Sequence, residues 1–215
     1  MDIGAGDTAI VITDPQNDFL SPDGVTWELV GESVKDNDTV ANLAKLLEAA
    51  QDNGYPVFVS PHYYYPTDGN WQFGGTMEVV MHDIDMFART GALSLDDFDG
   101  SGADWVAELK PYLENESTVV TSPHKVYSNA NNDLNLQLRK RGIDKVILGG
   151  MSANLCVESH LRQLLEDGFE VSVVKDATAG PRHPELGDGY AAALVNYGFI
   201  ASEVLTTEEA VERLA

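Results

Sequence analysis

The strongest constraint on this fold is the recurrence of short β-branched apolar runs separated by amphipathic stretches. The runs are residues 8–13, 56–60, 118–121, 145–149 and 170–174, with a sixth expected around 199–205. They are apolar in succession rather than strictly alternating, so they read as strands covered on both faces, as in a parallel sheet. Between them Val40, Leu43, Ala44, Leu46 and Leu47 form a helical stripe that stops near Asn53-Gly54. Residues 132–141 and 155–167 carry similar stripes and end at Gly142 and Gly168. A glycine just past the last turn is a helix C-terminal signal. Alternating strands and helices imply right-handed crossovers with helices on both faces. The expected fold is α/β: three-layer αβα and Rossmann-like, with a mainly parallel sheet of about six strands. No repeat or linker divides the chain, so residues 1–215 are expected to form one domain.

One connection breaks the rhythm. Residues 61–117 separate the second and third runs, far more than a crossover needs, and carry His62, Tyr63, Tyr64, Tyr65, Trp71, Phe73, Met77, Met81, Phe87 and Trp105. Long connections at strand carboxyl ends commonly build the ligand site of open α/β sheets. This insert is expected to help form a pocket and an oligomer contact, although any one of its aromatics serves equally well as core.

Charge removes whole classes of function. The chain has 13 Lys+Arg against 35 Asp+Glu, a formal net charge of −22, which opposes the basic footprint that nucleic-acid binding requires. The carboxylates are scattered rather than gathered in a tail, which suggests adaptation to high salt. No stretch approaches the roughly 18–20 apolar residues of a membrane span. A single cysteine and an N-terminus without a basic or apolar leader pattern point to the cytoplasm.

In a parallel sheet the ends of different strands share one edge. Asp14 follows the first run, Lys125 the third and Cys156 the fourth. A carboxylate, an ammonium and a thiol converging there would make a nucleophilic site. Cys156 sits where a helix begins, so the helix dipole and Lys125 are expected to favour its thiolate. Asp14 would carry the thiol proton, and backbone N–H groups of the turn would hold an oxyanion. Taken singly, Asp14 also suits a turn before Pro15, Lys125 a solvated surface and Cys156 a buried core position.

At these segments the sequence resembles the isochorismatase-like cysteine hydrolases, which include nicotinamidases, N-carbamoylsarcosine amidohydrolases and ureidoacrylate-type amidohydrolases. The matching segments are Asp14-Pro15-Gln16-Asn17-Asp18-Phe19, His124-Lys125 and Gly149-Gly150-Met151-Ser152-Ala153-Asn154-Leu155-Cys156-Val157. Val174-Lys175-Asp176-Ala177-Thr178-Ala179-Gly180 also looks familial. The resemblance implies an isochorismatase-like hydrolase fold and an Asp14–Lys125–Cys156 triad. It also implies a cis Met151–Ser152 peptide and an oxyanion hole from the N–H groups of Ser152 and Cys156. The implied reaction is hydrolysis of a small amide, carbamoyl or ureido C–N bond through a thioester, by a homo-oligomer, a dimer or tetramer.

The chain departs from the nicotinamidases, which carry an Asp-x-His…His metal motif after the second strand. Here Ser60 stands in place of the aspartate and only His62 survives nearby, too little to define a metal site. No metal or cofactor is therefore expected, and a small-molecule substrate is the expected partner. Phe19, His62, Tyr64, Trp71 and Tyr127 are candidate substrate contacts. His160, one helical turn beyond Cys156, is expected on a helix face or at an interface. Other readings are enol-ether hydrolysis of the isochorismatase type, a nicotinamidase-like activity, a catalytically idle scaffold and a nucleotide-binding module. The last is weakened by the lack of G-x-G-x-x-G and G-x-x-x-x-G-K-[ST] motifs.

Overall fold

A computed structural model describes all 215 residues. In chain order the elements are β1 (Thr8–Thr13), α1 (Asn17–Leu20), α2 (Trp27–Asp36), α3 (Thr39–Asp52), β2 (Val57–Ser60), α4 (Thr76–Asp83), α5 (Lys110–Leu113) and β3 (Val119–Val120). There follow α6 (Leu134–Lys140), β4 (Lys145–Gly150), α7 (Glu158–Glu166), β5 (Glu170–Thr178), β6 (Arg182–His183), β7 (Gly187–Asp188), α8 (Gly189–Ile200), β8 (Glu203–Leu205) and α9 (Thr207–Leu214).

Six strands form one sheet in the order β3-β2-β1-β4-β5-β8, every neighbouring pair parallel. The continuous apolar runs have the expected cause. Along β1, Ile10 and Ile12 enter one core with α2, α3 and α9, while Ala9 and Val11 enter another with α6, α7 and α8. Strand side chains alternate between faces, and both faces are covered, so successive residues of the run are apolar.

The sixth run is corrected in detail. Phe199 and Ile200 belong to the end of α8, and the strand is only Glu203–Leu205. Asp188 caps α8 through Ala191 N–H, and Ala193 and Tyr197 bury one helical face, so the helix outcompetes a strand there. The insert contributes Tyr63, Tyr64, Met81, Phe87 and Trp105 to the first core. No helix is long and apolar enough to cross a membrane.

Candidate active site

The strand order reverses between β1 and β4, which are adjacent although β2 and β3 intervene in sequence. Crevices at such a switch point open at the carboxyl ends of the strands. Asp14 leaves β1 and Cys156 follows β4 on opposite sides of it. Asp14 has φ +46, a left-handed conformation that Asp tolerates better than most residues. Gly150, at φ +108, lies so close to β1 that a Cβ there would sit 2.1 Å from Thr13 O. Thr13 Oγ1 donates to Met151 O at 2.9 Å, tying the two strand ends together. The Met151–Ser152 peptide is cis, and Ala153–Val157 forms a π-turn carrying Cys156 into α7.

These ends bring five chemical groups into one buried volume. Asp14, His62, His124 and His160 are fully buried, and Cys156 is 3% exposed. His124 Nε2 lies 2.7 Å from Asp14 Oδ1. Because a carboxylate accepts, this nitrogen carries the proton when Asp14 is ionised. His62 Nε2 donates to Lys125 O at 2.9 Å. His160 Nδ1 donates to Cys156 O at 2.7 Å, and its Nε2 meets Ser60 Oγ at 2.8 Å, which Asn132 Nδ2 also approaches. The His124 ring lies 4.6 Å from that of His62 and 5.0 Å from that of His160.

Burial dominates the electrostatics. It pushes the Asp14 carboxyl up to about 6, against smaller opposing effects of His62, Cys156 and His160. It drives His62, His124 and His160 down to about 3, so all three are neutral imidazoles. The Cys156 thiol is raised well above its ordinary value, first by burial and then by Asp14, while the N–H groups of Ser152 and Cys156 favour the thiolate. The expectation of a lowered thiol is therefore corrected: burial outweighs the helix-start amides here.

The expected place of Lys125 is corrected as well. Its ammonium donates to Tyr63 O at 2.9 Å and pairs with Asp68 at 2.5 Å, lying over the Tyr65 ring, and makes no hydrogen bond to Asp14 or Cys156. Consecutive side chains of an extended segment point to opposite sides. His62 and His124 pair in parallel, and His124 takes the inward position beside Asp14, so Lys125 is turned toward the insert. His160 is also corrected, from a helix-face or interface residue to a fully buried one that braces the turn carrying Cys156.

The aromatic candidates divide. Phe19 is a core residue packed edge-on against Phe87 at 5.2 Å, not a pocket wall. Burial covers its whole face because α1 turns it inward. His62 packs among Tyr64, Phe87 and His124. Tyr64 is buried with its hydroxyl unpartnered, and burial first, then Glu78 and Cys156, disfavour its ionisation. Half-buried Tyr127 is raised by the same causes, burial first. Trp71 is 41% exposed and meets the edge of Tyr64, at the rim of a 190 Å³ cleft shared with Asp68, Phe73, Glu78 and His82.

Sequence reasoning missed the tethering role of the motif after β1. Gln16 Nε2 donates to His62 O and Ala103 O, and its Oε1 accepts His62 N–H. Asn17 donates to Ser101 O, and Asp18 accepts Phe87 N–H at 2.6 Å. Three polar side chains in a row thus clamp the insert over the crevice. Nothing in the motif itself marks these tethers, because the partners Ala103, Ser101 and Phe87 lie far along the chain.

One atom each from Asp14, His62, His124 and Cys156 lies within 4.8 Å of the others, a donor set that suits a borderline-soft cation. The second imidazole, absent from the sequence near His62, arrives with His124 from the end of β3.

Comparison with known proteins identifies the family of this fold. The chain is 28% identical to an uncharacterized isochorismatase family protein, YddQ, of Bacillus subtilis, over 91% of this chain and 90% of that one. It is 30% identical to the ureidoacrylate amidohydrolase RutB of Pseudomonas savastanoi, over 92% and 81% of the two chains. A cysteine hydrolase structure from Pseudomonas syringae superposes with a TM-score of 0.81 at 25% identity, covering 100% of this chain and 95% of that one. An N-carbamoylsarcosine amidase of Thermoplasma acidophilum shares the fold, with a TM-score of 0.67 at 22% identity over 94% and 98%. The Isochorismatase domain model matches residues 8–209. By that match and the 30%-identical relative, the chain belongs to the isochorismatase-like hydrolase family.

Proposed function

We propose that this hydrolase cleaves a small amide, carbamoyl or ureido C–N bond through a Cys156 thioester. The observation that carries the reading is the Cys156 thiol lying within 4.8 Å of the Asp14 carboxylate in one buried cluster. The 30%-identical ureidoacrylate amidohydrolase supports the same bond type.

In this mechanism Asp14 Oδ2, which has no hydrogen-bond partner, takes the thiol proton as sulfur attacks the carbonyl. The N–H groups of Ser152 and Cys156 hold the oxyanion. Asp14 then protonates the leaving nitrogen, which departs as ammonia or an amine. It next takes a proton from the attacking water and returns it to the released sulfur. Because the thiol is protonated at rest, attack and proton transfer proceed together. His124, donating to Oδ1, steadies the carboxylate and leaves Oδ2 free. Lys125, paired with Asp68, serves the rim instead. Tyr64, Trp71 and Tyr127 would favour a small planar or partly apolar substrate.

The test is ammonia release over a panel of amides, ureido compounds and hydrazides in high salt. Turnover by the native chain and none by Cys156→Ala is expected. Equal turnover by the two proteins would refute a thioester route.

A further inference from the structure

We propose that Asp14, His62, His124 and Cys156 form a binding site for a thiophilic divalent cation of the Zn²⁺ class, and that the bound cation holds the nucleophile inactive. The inactivation rests on the function proposed above; the binding does not.

Three observations carry the site. The first is proximity: four ligand atoms, from one carboxylate, two imidazoles and one thiol, stand within 4.8 Å of one another in a fully buried cluster. Four such ligands match tetrahedral coordination, and the sulfur and nitrogen donors discriminate against Mg²⁺ and Ca²⁺.

The second is unsatisfied bonding capacity. Asp14 Oδ2, His62 Nδ1 and His124 Nδ1 are all buried without any hydrogen-bond partner. Buried polar atoms are nearly always partnered, and three orphans on three of four clustered residues ask for a ligand. His62 shows why its orphan is a lone pair. Its Nε2–H is committed to Lys125 O, so Nδ1 is unprotonated, and a carbonyl on the far nitrogen is the usual outer support of a metal-bound imidazole. His124 offers either nitrogen: Nδ1 is free already, and Nε2 becomes a donor when the ring adopts its Nδ1–H tautomer.

The third is charge balance. Carboxylate and thiolate together supply two negative charges, which a divalent cation cancels, so the loaded site is neutral in a crevice that disfavours net charge. Binding replaces the Cys156 S–H bond with a sulfur–metal bond, and the displaced proton leaves to the buffer. Sulfur so held cannot attack a carbonyl, and Asp14 cannot accept a proton.

Chelator-stripped full-length protein titrated with Co²⁺ provides the test. One equivalent should bind with a sulfur-to-cobalt charge-transfer band in the near ultraviolet. That band should vanish in Cys156→Ser. Affinity should fall in His62→Asn and His124→Asn by at least the roughly 10- to 100-fold that loss of an outer-shell partner causes. X-ray absorption of the native chain loaded with Zn²⁺ needs no variant; it should give one sulfur at about 2.3 Å and lighter ligands at about 2.0–2.1 Å. A shell of nitrogen and oxygen only, no band at one equivalent, or unchanged affinity in both histidine variants would overturn the site. The two proposals fail separately. A cobalt band without hydrolysis of any amide defeats the hydrolase reading alone; hydrolysis lost in Cys156→Ala without a cobalt band defeats the cation site alone. Hydrolysis undiminished by one equivalent of Zn²⁺ defeats the inactivation.

Discussion

At the scale of single residues, the outcome turns on which of two neighbours faces inward. His124 and Lys125 stand side by side, and only the imidazole reaches Asp14. His124→Gln should therefore lower kcat by about 100-fold, the effect of a reacting group displaced by about 1 Å, with KM little changed. Lys125→Ala should act mainly on KM, because it opens the rim pair with Asp68. Steady-state kinetics of the two variants read this directly, and a larger kcat loss in Lys125→Ala would reverse the assignment. Gly150 makes a second prediction. Alanine there meets Thr13 O at 2.1 Å and needs a positive φ, so Gly150→Ala should destabilise the protein by about 1–3 kcal/mol or more, read as a lower denaturant midpoint. An unchanged midpoint would mean that β1 and β4 separate easily.

At the scale of elements, the insert is held by the first motif rather than by its own secondary structure. Gln16→Ala removes three buried hydrogen bonds and leaves His62 N–H, His62 O and Ala103 O without their partner. Each orphan costs about 1–3 kcal/mol, so the insert should open before the sheet does. Hydrogen exchange should accelerate across residues 61–117 while β1 and β4 stay protected; uniform acceleration would place the tether elsewhere. The motif's spelling was legible, but its tethering was not, because the partners Ala103, Ser101 and Phe87 lie more than 65 residues away. The two-sided β1 run, by contrast, was readable from its own residues. Residues 199–205 misled because apolar succession is common to a buried strand and a helix end.

At the scale of the whole molecule, charge and buried histidine govern stability. The imbalance of 13 cations against 35 acids should make thermal stability rise from low to molar salt as repulsion is screened, and a flat melting temperature would argue against salt adaptation. Acid should act in the other direction. His62, His124 and His160 sit near 3 when folded and near the ordinary 6.5 when unfolded. The unfolded chain thus binds more protons in that window, and stability present above about 6.5 is lost as pH falls toward 3. Asp14, raised to about 6, opposes this between 6 and its ordinary 3.8, one group against three. Melting temperatures of chelator-treated protein in molar salt should fall steeply below pH 6. No change down to pH 4.5 would exclude a buried neutral trio.

The sequence by itself determined the layered fold, the strand ends on which Asp14 and Cys156 stand, and the family segments around them. Those properties depend on local periodicity and on the geometry common to parallel sheets. Only the tertiary structure decided the inward choice of His124 over Lys125, the burial of His160 and the meeting of four metal-type donors. Each of these depends on which way a side chain turns once distant strands are paired, and neither composition nor spacing encodes that direction.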